Sequence, residues 1–425
     1  MSTAVTSKPR AANIITLGCR LNAFESEVMG NHARAAGLKD AVIVNTCAVT
    51  AEAVRQARQR IRRARREHPH AKIIVTGCAA QVDPAMFAAM PEVDHVLGNG
   101  EKMRARNWHL GPGSARVQVG DIQDEHATHS FGIAGLTGRA RASIEVQNGC
   151  DHRCTFCIIP FGRGRSRSVP IEDVVAQVRQ LADNGVAEVV LSGVDMTSWG
   201  GDLPGAPKLG ALVSAILRGV PRLPRLRLSS IDAIMMDAQL LACMSDEERL
   251  TPYLHLSLQA GDTMTLKRMK RRHSRAEAVD LCARLKAARP GIALGADLIA
   301  GFPTENAAMF ANTLKLVDDC DLSYLHVFPF SPRPGTPAAR MPPVPAGTVK
   351  ARAARLREAG AAALQRHFAR HVGLAGDVLV EREGFGRLAD FSPVSLPAGL
   401  PARPGAIIGV RISGHDGKTL HGQAL

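Results

Sequence analysis

The sequence predicts an α/β protein in three parts: an N-terminal parallel α/β sheet domain, a central (βα)6-type partial barrel, and a small C-terminal β-barrel. Three observations predict it. The chain has 425 residues, enough for two or three domains at roughly 150 residues each. Apolar strand-like runs alternate with helical patterns up to about residue 330, the pattern of βαβ units. After residue 371 the pattern changes to short β-prone runs broken by Gly and Pro.

In the first part, Ile14–Leu17, Ala41–Val44 and Lys72–Val75 read as strands separated by helical stretches. The segment 109–130, rich in Gly and His, reads as a linker, giving a first domain over 10–125. From Ser143 the rhythm returns with strands at Ser143–Val146, Glu188–Leu191, Arg225–Leu228, Tyr253–Leu258, Ile292–Leu298 and Ser323–Val327. Helical stretches such as Ile171–Asn184 and Arg275–Ala288 lie between them. Six such units suit a barrel or part of one, and a doubly wound sheet is the alternative because periodicity does not decide closure. A proline-rich segment follows, then a basic helix at Thr348–Arg370, closing a second domain over 136–370. Runs at Val378–Val380, Ile407–Ile412 and Thr419–His421 make 371–425 a five-stranded barrel of a type often used to hold nucleic acid.

No stretch reaches the ~18 to 20 apolar residues of a membrane span, and the first residues lack an apolar signal core. The expectation is a soluble, cytoplasmic protein with no membrane partner. The formal charge of +14 favours a polyanionic partner. No GxxxxGK[ST] or GxGxxG loop is present, and the 15 His read as scattered, without a helix-spaced metal pair.

Nine cysteines without a secretion signal point to reduced, metal-binding or catalytic thiols. Cys150, Cys154 and Cys157 form a C-x3-C-x2-C run directly after a predicted strand. Three thiolates within eight residues wrap one face of a cubane iron–sulfur cluster and leave one iron open. A zinc site of Cys3His type, with His152 or another His as fourth ligand, is the rival. Cys19, Cys47 and Cys78 each follow a predicted parallel strand, in IITLGC, VIVNTC and IIVTGC. Ligands gather at the carboxyl ends of such strands, so a second three-Cys centre is expected. Small buried residues at three strand ends are the alternative. Cys243, Cys282 and Cys320 occur singly in helical patterns and read as structural.

The C-x3-C-x-aromatic-C pattern, with Phe156 in the aromatic place, resembles the signature of the radical S-adenosylmethionine (SAM) enzymes. That resemblance implies that Cys150, Cys154 and Cys157 hold a [4Fe–4S] cluster whose open iron chelates SAM, and that Phe156 lies over the cluster. An electron then cleaves SAM to a 5′-deoxyadenosyl radical. With the flanking domains, the chain resembles the methylthiotransferases over about residues 12 to 425. The segments NTCAVTAEA (45–53), CTFCIIPFGRGRSRS (154–168), LRLSSID (226–232), HLSLQAGD (255–262) and FSPRPGTPAARM (330–341) carry the likeness. The leading motif Gly18-Cys19-Arg20-Leu21-Asn22, with Glu25-Ser26-Glu27, looks like the branch that acts on threonylcarbamoyladenosine in tRNA.

The resemblance implies a central radical SAM partial barrel, a TRAM-like terminal barrel, two [4Fe–4S] clusters and SAM as cofactors. It also implies tRNA as substrate, an electron donor such as flavodoxin or ferredoxin, a sulfur source, and a monomer. Methylthiolation of isopentenyladenosine or of ribosomal protein S12 are alternatives, as is an iron–sulfur RNA-binding sensor without turnover. Radical SAM proteins use polar residues at strand ends to hold SAM, which here picks out Gly193, Asp195, Ser230, Gln259 and Asp297. A turn or N-cap role competes for Asp195 and Ser230.

Basic residues cluster in the helix read from Val54 to Lys72, where Arg55, Arg58 and Arg62 are candidate RNA contacts. Arg163, Arg165 and Arg167 are further candidates, as is the cluster from Lys267 to Arg272. Arginines around a whole helix cannot all face one groove, and internal salt bridges are the rival for Arg163 to Arg167. The terminal barrel carries five basic and five acidic residues, which lowers its expected share of RNA binding. Two Trp and two Tyr make extended single-strand stacking a poor fit, favouring a folded RNA with one exposed base.

Overall fold

A computed structural model describes residues 12–111, 113–126, 140–232, 236–400 and 402–425. The chain divides into two compact units. One holds the described residues up to 126 together with Gly149–His152 and Cys157–Arg165; the other holds the remainder.

The first unit is a five-stranded parallel sheet in the order β1 (Asn13–Thr16), β2 (Ala41–Thr46), β3 (Lys72–Gly77), β4 (His95–Leu97), β5 (Val117–Gln118). Its helices are α1 (Arg20–Ala35), α2 (Ala51–Glu67), α3 (Cys78–Val82), α4 (Pro84–Ala88) and, from the later segment, α5 (Ile159–Arg163). Strand alternation sends Val42, Val44, Ile73 and Val75 to one face, against Ile61 and Ala64 of α2 and Phe87 of α4. Ile43 and Ile74 go to the other, against Met29 and Ala33 of α1 and Trp108. Burial on both faces is why these strands read as continuous apolar runs.

Two expectations are corrected in this unit. Helix α2 stops at Glu67 instead of running to Lys72, because His68 precedes a proline and is held out of helical geometry (φ −133°, ψ 72°). Lys72 instead opens β3. The segment read as a linker contains β5, which extends the sheet; a two-residue strand is too short to leave a periodic signal. The later part of that linker, residues 127–130, lies outside the described residues, as do the proposed domain starts at 10 and 136.

The second unit contains strands β6 (Ala142–Asn148), β7 (Arg167–Ser168), β8 (Glu188–Gly193), β9 (Arg225–Leu228), β10 (Ser230–Ile231), β11 (Tyr253–Gln259), β12 (Ala293–Ala300) and β13 (Tyr324–Pro329). Helices α6 (Ile171–Asp183), α7 (Leu209–Gly219), α8 (Ala238–Asp246), α9 (Thr263–Arg268), α10 (Arg275–Ala288), α11 (Ala307–Asp319) and α12 (Ala346–Ala369) belong to it. Pairing runs β7-β6-β8-β9 and β10-β11-β12-β13. Only Ser229 separates β9 from β10, so one stretch of chain passes from pairing with β8 to pairing with β11. The result is six parallel strand positions in chain order, with no pairing recorded between β6 and β13 among the described residues. An open barrel, and not a doubly wound sheet, is the outcome.

The C-terminal strands β14 (Ala375–Arg382), β15 (Phe385–Arg387), β16 (Pro393–Ser395), β17 (Ile407–His415) and β18 (Leu420–Ala424) close a barrel in the order β14-β15-β16-β18-β17. Its core takes in Phe368 of α12 beside Val378, Val394, Val410 and Leu420. The expectation of no helix-spaced His pair meets one exception here. His367, in the last turn of α12, and His371, in the turn just past it, are four apart, and the Nε2 atoms of both bond the buried Asp390 carboxylate, at 3.0 and 2.8 Å. The pair was overlooked because the intervening residues are Phe, Ala and Arg, with no glutamate to complete a familiar motif.

Glu188, at the start of β8, has no exposed side-chain surface. It accepts from Arg141 Nε at 2.8 Å and Arg227 Nε at 2.7 Å, with Arg225 at 3.9 Å. Arg227 lies 4.9 Å over the ring of Phe391, which stacks on Tyr253 at 5.5 Å. Phe391 adopts φ +75°, a conformation a bulky residue accepts only where its packing compensates. Burial works against the Glu188 charge, but Arg227 and its neighbours outweigh that and hold the carboxyl down at about 2.

Among the described residues, no helix is long and apolar enough to cross a membrane. Glu188→Gln takes the counter-charge from the buried guanidiniums of Arg225 and Arg227, while Arg141 keeps Glu381, and is expected to destabilise the protein by about 3–5 kcal/mol, measured by denaturant unfolding. Because the folded carboxyl titrates below its ordinary value, its contribution is present above about pH 4.5. It is lost as the pH falls toward 2, so the wild type loses stability across that window and the Gln variant changes less.

Candidate metal centres

In the first unit the three cysteines stand where the strands end. Cys19 is the N-cap of α1, Cys47 follows β2 directly, and Cys78 is the first residue of α3 after β3. Cys19 opens a 16-residue helix at its N-terminal end, and burial pushes its thiol above the ordinary value, with Arg163 working the other way. Burial pushes the Cys47 thiol up to about 11, so without a metal it stays protonated. Glycines make the room. Gly18 has φ +94°, and a Cβ on it would lie 2.7 Å from Cys47 Cβ. Gly77 has φ +96°, and its Cβ would lie 2.4 Å from the Thr46 backbone. Three free thiols at one sheet edge, with no competing oxygen ligand at those positions, form a soft donor set that fits iron–sulfur ligation.

A buried polar network backs these thiols. Asn22 donates from Nδ2 to the carbonyls of Leu17 at 2.6 Å and Thr46 at 3.1 Å, tying α1 to the ends of β1 and β2. Glu25, 1% exposed, accepts from Lys102 Nζ at 2.6 Å and from Arg163 Nη1 at 2.6 Å. Burial opposes the charge of Glu25, yet Arg163 and Lys102 keep its carboxyl below the usual range. Arg163 also donates to Asn22 Oδ1 at 2.7 Å and points Nε at Cys78 Sγ, 3.1 Å away. Asn99 Nδ2 lies 3.7 Å from the same sulfur and also donates to the Gly162 carbonyl.

The expectation of RNA contact for Arg163 is therefore corrected: its side chain is 2% exposed and belongs to this network. Arg167 is corrected likewise, being buried in β7, while Arg165 is exposed. Of the α2 candidates, Arg55 is exposed and paired with Glu52 at 2.6 Å, Arg62 is exposed 3.8 Å from Glu92, and Arg58 is half-buried. Arg271 leaves the RNA set as well, since its side chain is buried on Asp232 at 2.7 Å. Lys102, Asn99 and Asn45, which donates to the Asn22 carbonyl at 3.0 Å, carry no sequence motif. A lysine with no exposed surface was the available signal, and only folding makes it visible.

Cys150, Cys154 and Cys157 occupy the loop after β6 and are half-buried, free thiols. In the first unit, Cys150 N donates to the Gly164 carbonyl at 3.0 Å, and Ile158 joins the sheet core. In the second unit, Thr155 is held by Met269 and Arg268 carbonyls at 3.0 and 2.8 Å, and Arg271 Nη1 stands 3.6 Å from Cys154 Sγ. Phe156 packs edge-on to Phe302 with centroids 6.3 Å apart, in a cluster with Leu266, Met269 and Ile299. Three sulfurs on one short, anchored loop suit a cubane with an open iron.

The SAM candidates occupy the parallel strands of the second unit. Gly193 and Gln259 end β8 and β11, Ser230 opens β10, and Asp297 lies within β12. Asp195 accepts from Thr197 and Ser198 hydroxyls at 3.0 and 2.6 Å, and its N–H donates to Gln147 Oε1 at 2.8 Å. Asp297 accepts from His255 Nε2 at 2.9 Å and His326 Nδ1 at 3.2 Å, partners that spacing did not reveal. Burial opposes the Asp297 charge, and the two imidazoles overcome it, holding the carboxyl well below the usual range.

Residues 144–317 match the radical SAM superfamily, and residues 11–98 match a family described as uncharacterized protein family UPF0004. The threonylcarbamoyladenosine tRNA methylthiotransferase MtaB of Rickettsia prowazekii (strain Madrid E) is 48% identical over 383 residues, covering 90% of each chain. Its namesake from Aquifex aeolicus (strain VF5) is 36% identical over 339 residues, covering 77% of this chain and 82% of that one. Among solved structures, the radical SAM methyltransferase TsrM of Kitasatospora setae, with tryptophan and a SAM analogue bound, superposes with a TM-score of 0.52 at 17% identity. That match covers 75% of this chain and 68% of TsrM, and it is a likeness of fold.

Gly18→Ala tests the glycine cradle. A left-handed φ costs a non-glycine residue about 1–2 kcal/mol, and the new Cβ displaces Cys47. The expected outcome is a folded protein that retains less iron after anaerobic reconstitution, read by iron analysis per chain.

Proposed function

The chain belongs to the family of radical SAM threonylcarbamoyladenosine tRNA methylthiotransferases, and from that premise we propose its reaction in detail. It replaces the C2–H of adenine in N6-threonylcarbamoyladenosine, next to the anticodon of tRNA, with a methylthio group. The observation that carries this reading is the 48% identity to an MtaB protein over 90% of both chains. The strand-end placement of Cys19, Cys47 and Cys78 supports it.

As a member of this family, the chain is an enzyme that uses SAM and [4Fe–4S] clusters. We assign one cluster to Cys150, Cys154 and Cys157 and a second, sulfur-bearing one to Cys19, Cys47 and Cys78. Held by these cysteines, the clusters and SAM would supply the chemistry that general-base catalysis cannot at the non-acidic C2–H, one SAM giving the radical and another the methyl group. The protein's own part is placement. The hold of Met269 and Arg268 on Thr155 fixes the loop, and Arg271 sets a positive charge beside Cys154. Gly193 and Gln259 at strand ends, with Asp195, Ser230 and Asp297, are the candidates for the ribose, amine and carboxylate of SAM. Exposed Arg55, Arg62, Arg165 and Arg272 are the arginines of the set we assign to phosphate contact. An electron donor such as flavodoxin or ferredoxin and a sulfur source complete the cycle, with the chain acting as a cytoplasmic monomer.

Nucleoside mass spectrometry of bulk tRNA, with the gene deleted and then restored, tests the reaction. Loss of the methylthio form with accumulation of threonylcarbamoyladenosine is expected on deletion. Unchanged nucleosides would overturn the tRNA assignment and direct attention to ribosomal protein S12. In the purified enzyme, Cys154→Ala is expected to abolish 5′-deoxyadenosine formation. Cys78→Ala is expected to retain SAM cleavage and lose sulfur insertion, and full methylthiolation by it would refute the second-cluster assignment.

A further inference from the structure

We propose that Arg163 is the resident counter-cation of the Cys19, Cys47 and Cys78 centre, a positioning residue that favours an anionic sulfur at Cys78 and raises the reduction potential of the cluster bound there. The proposal rests on reading those three cysteines as cluster ligands.

Guanidinium is charged at every accessible pH, and its N–H groups project in a fixed planar fork. In Arg163 that fork is committed. Nη1 and Nη2 engage Glu25 at 2.6 and 3.1 Å, and Nη2 also engages Asn22 at 2.7 Å. The orientation this imposes sends Nε to Cys78 Sγ at 3.1 Å, within hydrogen-bond reach of sulfur. Glu25 is meanwhile shared with Lys102, so two buried cations divide one carboxylate. An anionic sulfur is the complement such a shell favours, since buried charge is tolerated when matched.

The backbone reinforces the arrangement. Arg163 ends α5, and a Cβ on the preceding Gly162 would lie 3.3 Å from Cys78 Cβ, so the helix abuts that cysteine. Asn99 and Gln123 tie α5 to the unit through the carbonyls of Gly162 and Pro160. Cys157 is only six residues before Arg163. A fixed positive charge beside a ligand sulfur stabilises the more reduced, more negative state of a cluster, and such outer partners tune potential and retention.

The test uses the full-length chain with Cys150, Cys154 and Cys157 all changed to Ala, reconstituted anaerobically so that iron reports on the other centre alone. Iron per chain and the reduction potential from an EPR-monitored titration are measured for this parent, and with Arg163→Gln, Arg163→Lys or Glu25→Gln added. Arg163→Gln is expected to shift the potential to more negative values and weaken iron retention about 10-fold or more, the range for outer-sphere partners. Glu25→Gln, which removes the neutralising carboxylate, is expected to shift the potential the opposite way. Arg163→Lys is expected to recover most of the parent potential.

Shifts of opposite sign support the proposal. Unchanged potentials with full iron, or shifts of one sign in both Gln variants, overturn it, because a purely structural role has no reason to follow charge. If Arg163→Gln does not fold, the positive shift in Glu25→Gln decides the matter by its presence or absence. A parent that binds no iron refutes the cluster assignment itself, an outcome separate from the failure of the Arg163 proposal.

Discussion

Burying a carboxylate costs several kcal/mol unless cations and hydrogen bonds answer it, and that constraint organises both units of this protein. In the first, Glu25 gathers Lys102 and Arg163; in the second, Glu188 gathers Arg141, Arg225 and Arg227. Each joins pieces of chain far apart in sequence. Glu25 links α1 to α5, 138 positions away, across a contact no local interaction would form. Around Glu188 the arginines also reach the C-terminal barrel, through the Ala389 and Asp377 carbonyls.

The chemistry sits where backbone geometry leaves room for it. In a parallel sheet the strands end together on one edge, so side chains just past β1, β2 and β3 share that edge whatever their sequence separation. Gly18 and Gly77 turn the chain there in conformations other residues rarely adopt, keeping the approach to Cys47 and Thr46 open. Asn22 converts the arrangement into a fixed one by bonding the last carbonyls of two neighbouring strands' ends. The Cys154 loop is held differently, by a hydroxyl and backbone bonds at Thr155 and by the aromatic packing of Phe156.

Arginine counts proved to be a weak guide to partners. Arg163, Arg167 and Arg271 carry the same formal charge as Arg165, yet three are buried and one is exposed. For Arg163 and Arg271 a carboxylate and a sulfur wait in the fold, Glu25 with Cys78 and Asp232 with Cys154, which spacing does not encode. Arginine also suits buried ion pairs better than lysine, because its planar fork binds two acceptors at once. Two other features are hidden in the sequence for different reasons: β5 is too short to show a period, and the spacing of His367 and His371 acquires meaning only when Asp390 is brought against it.

Sequence by itself determined the alternation of parallel strands and helices, the strand-end position of Cys19, Cys47 and Cys78, and the compact loop of Cys150, Cys154 and Cys157. These depend on neighbours in the chain: apolar periodicity, a cysteine next to a strand, three thiols within eight residues. Only the tertiary structure decided that the central sheet stays an open barrel, because the transfer of pairing at Ser229 is a matter of which strands meet. It alone decided which charges are buried and what answers them. The pairs Glu25 with Arg163 and Glu188 with Arg227 form between residues that are close in space and remote in sequence. Their energy comes from exclusion of water, which exists only once the chain has packed.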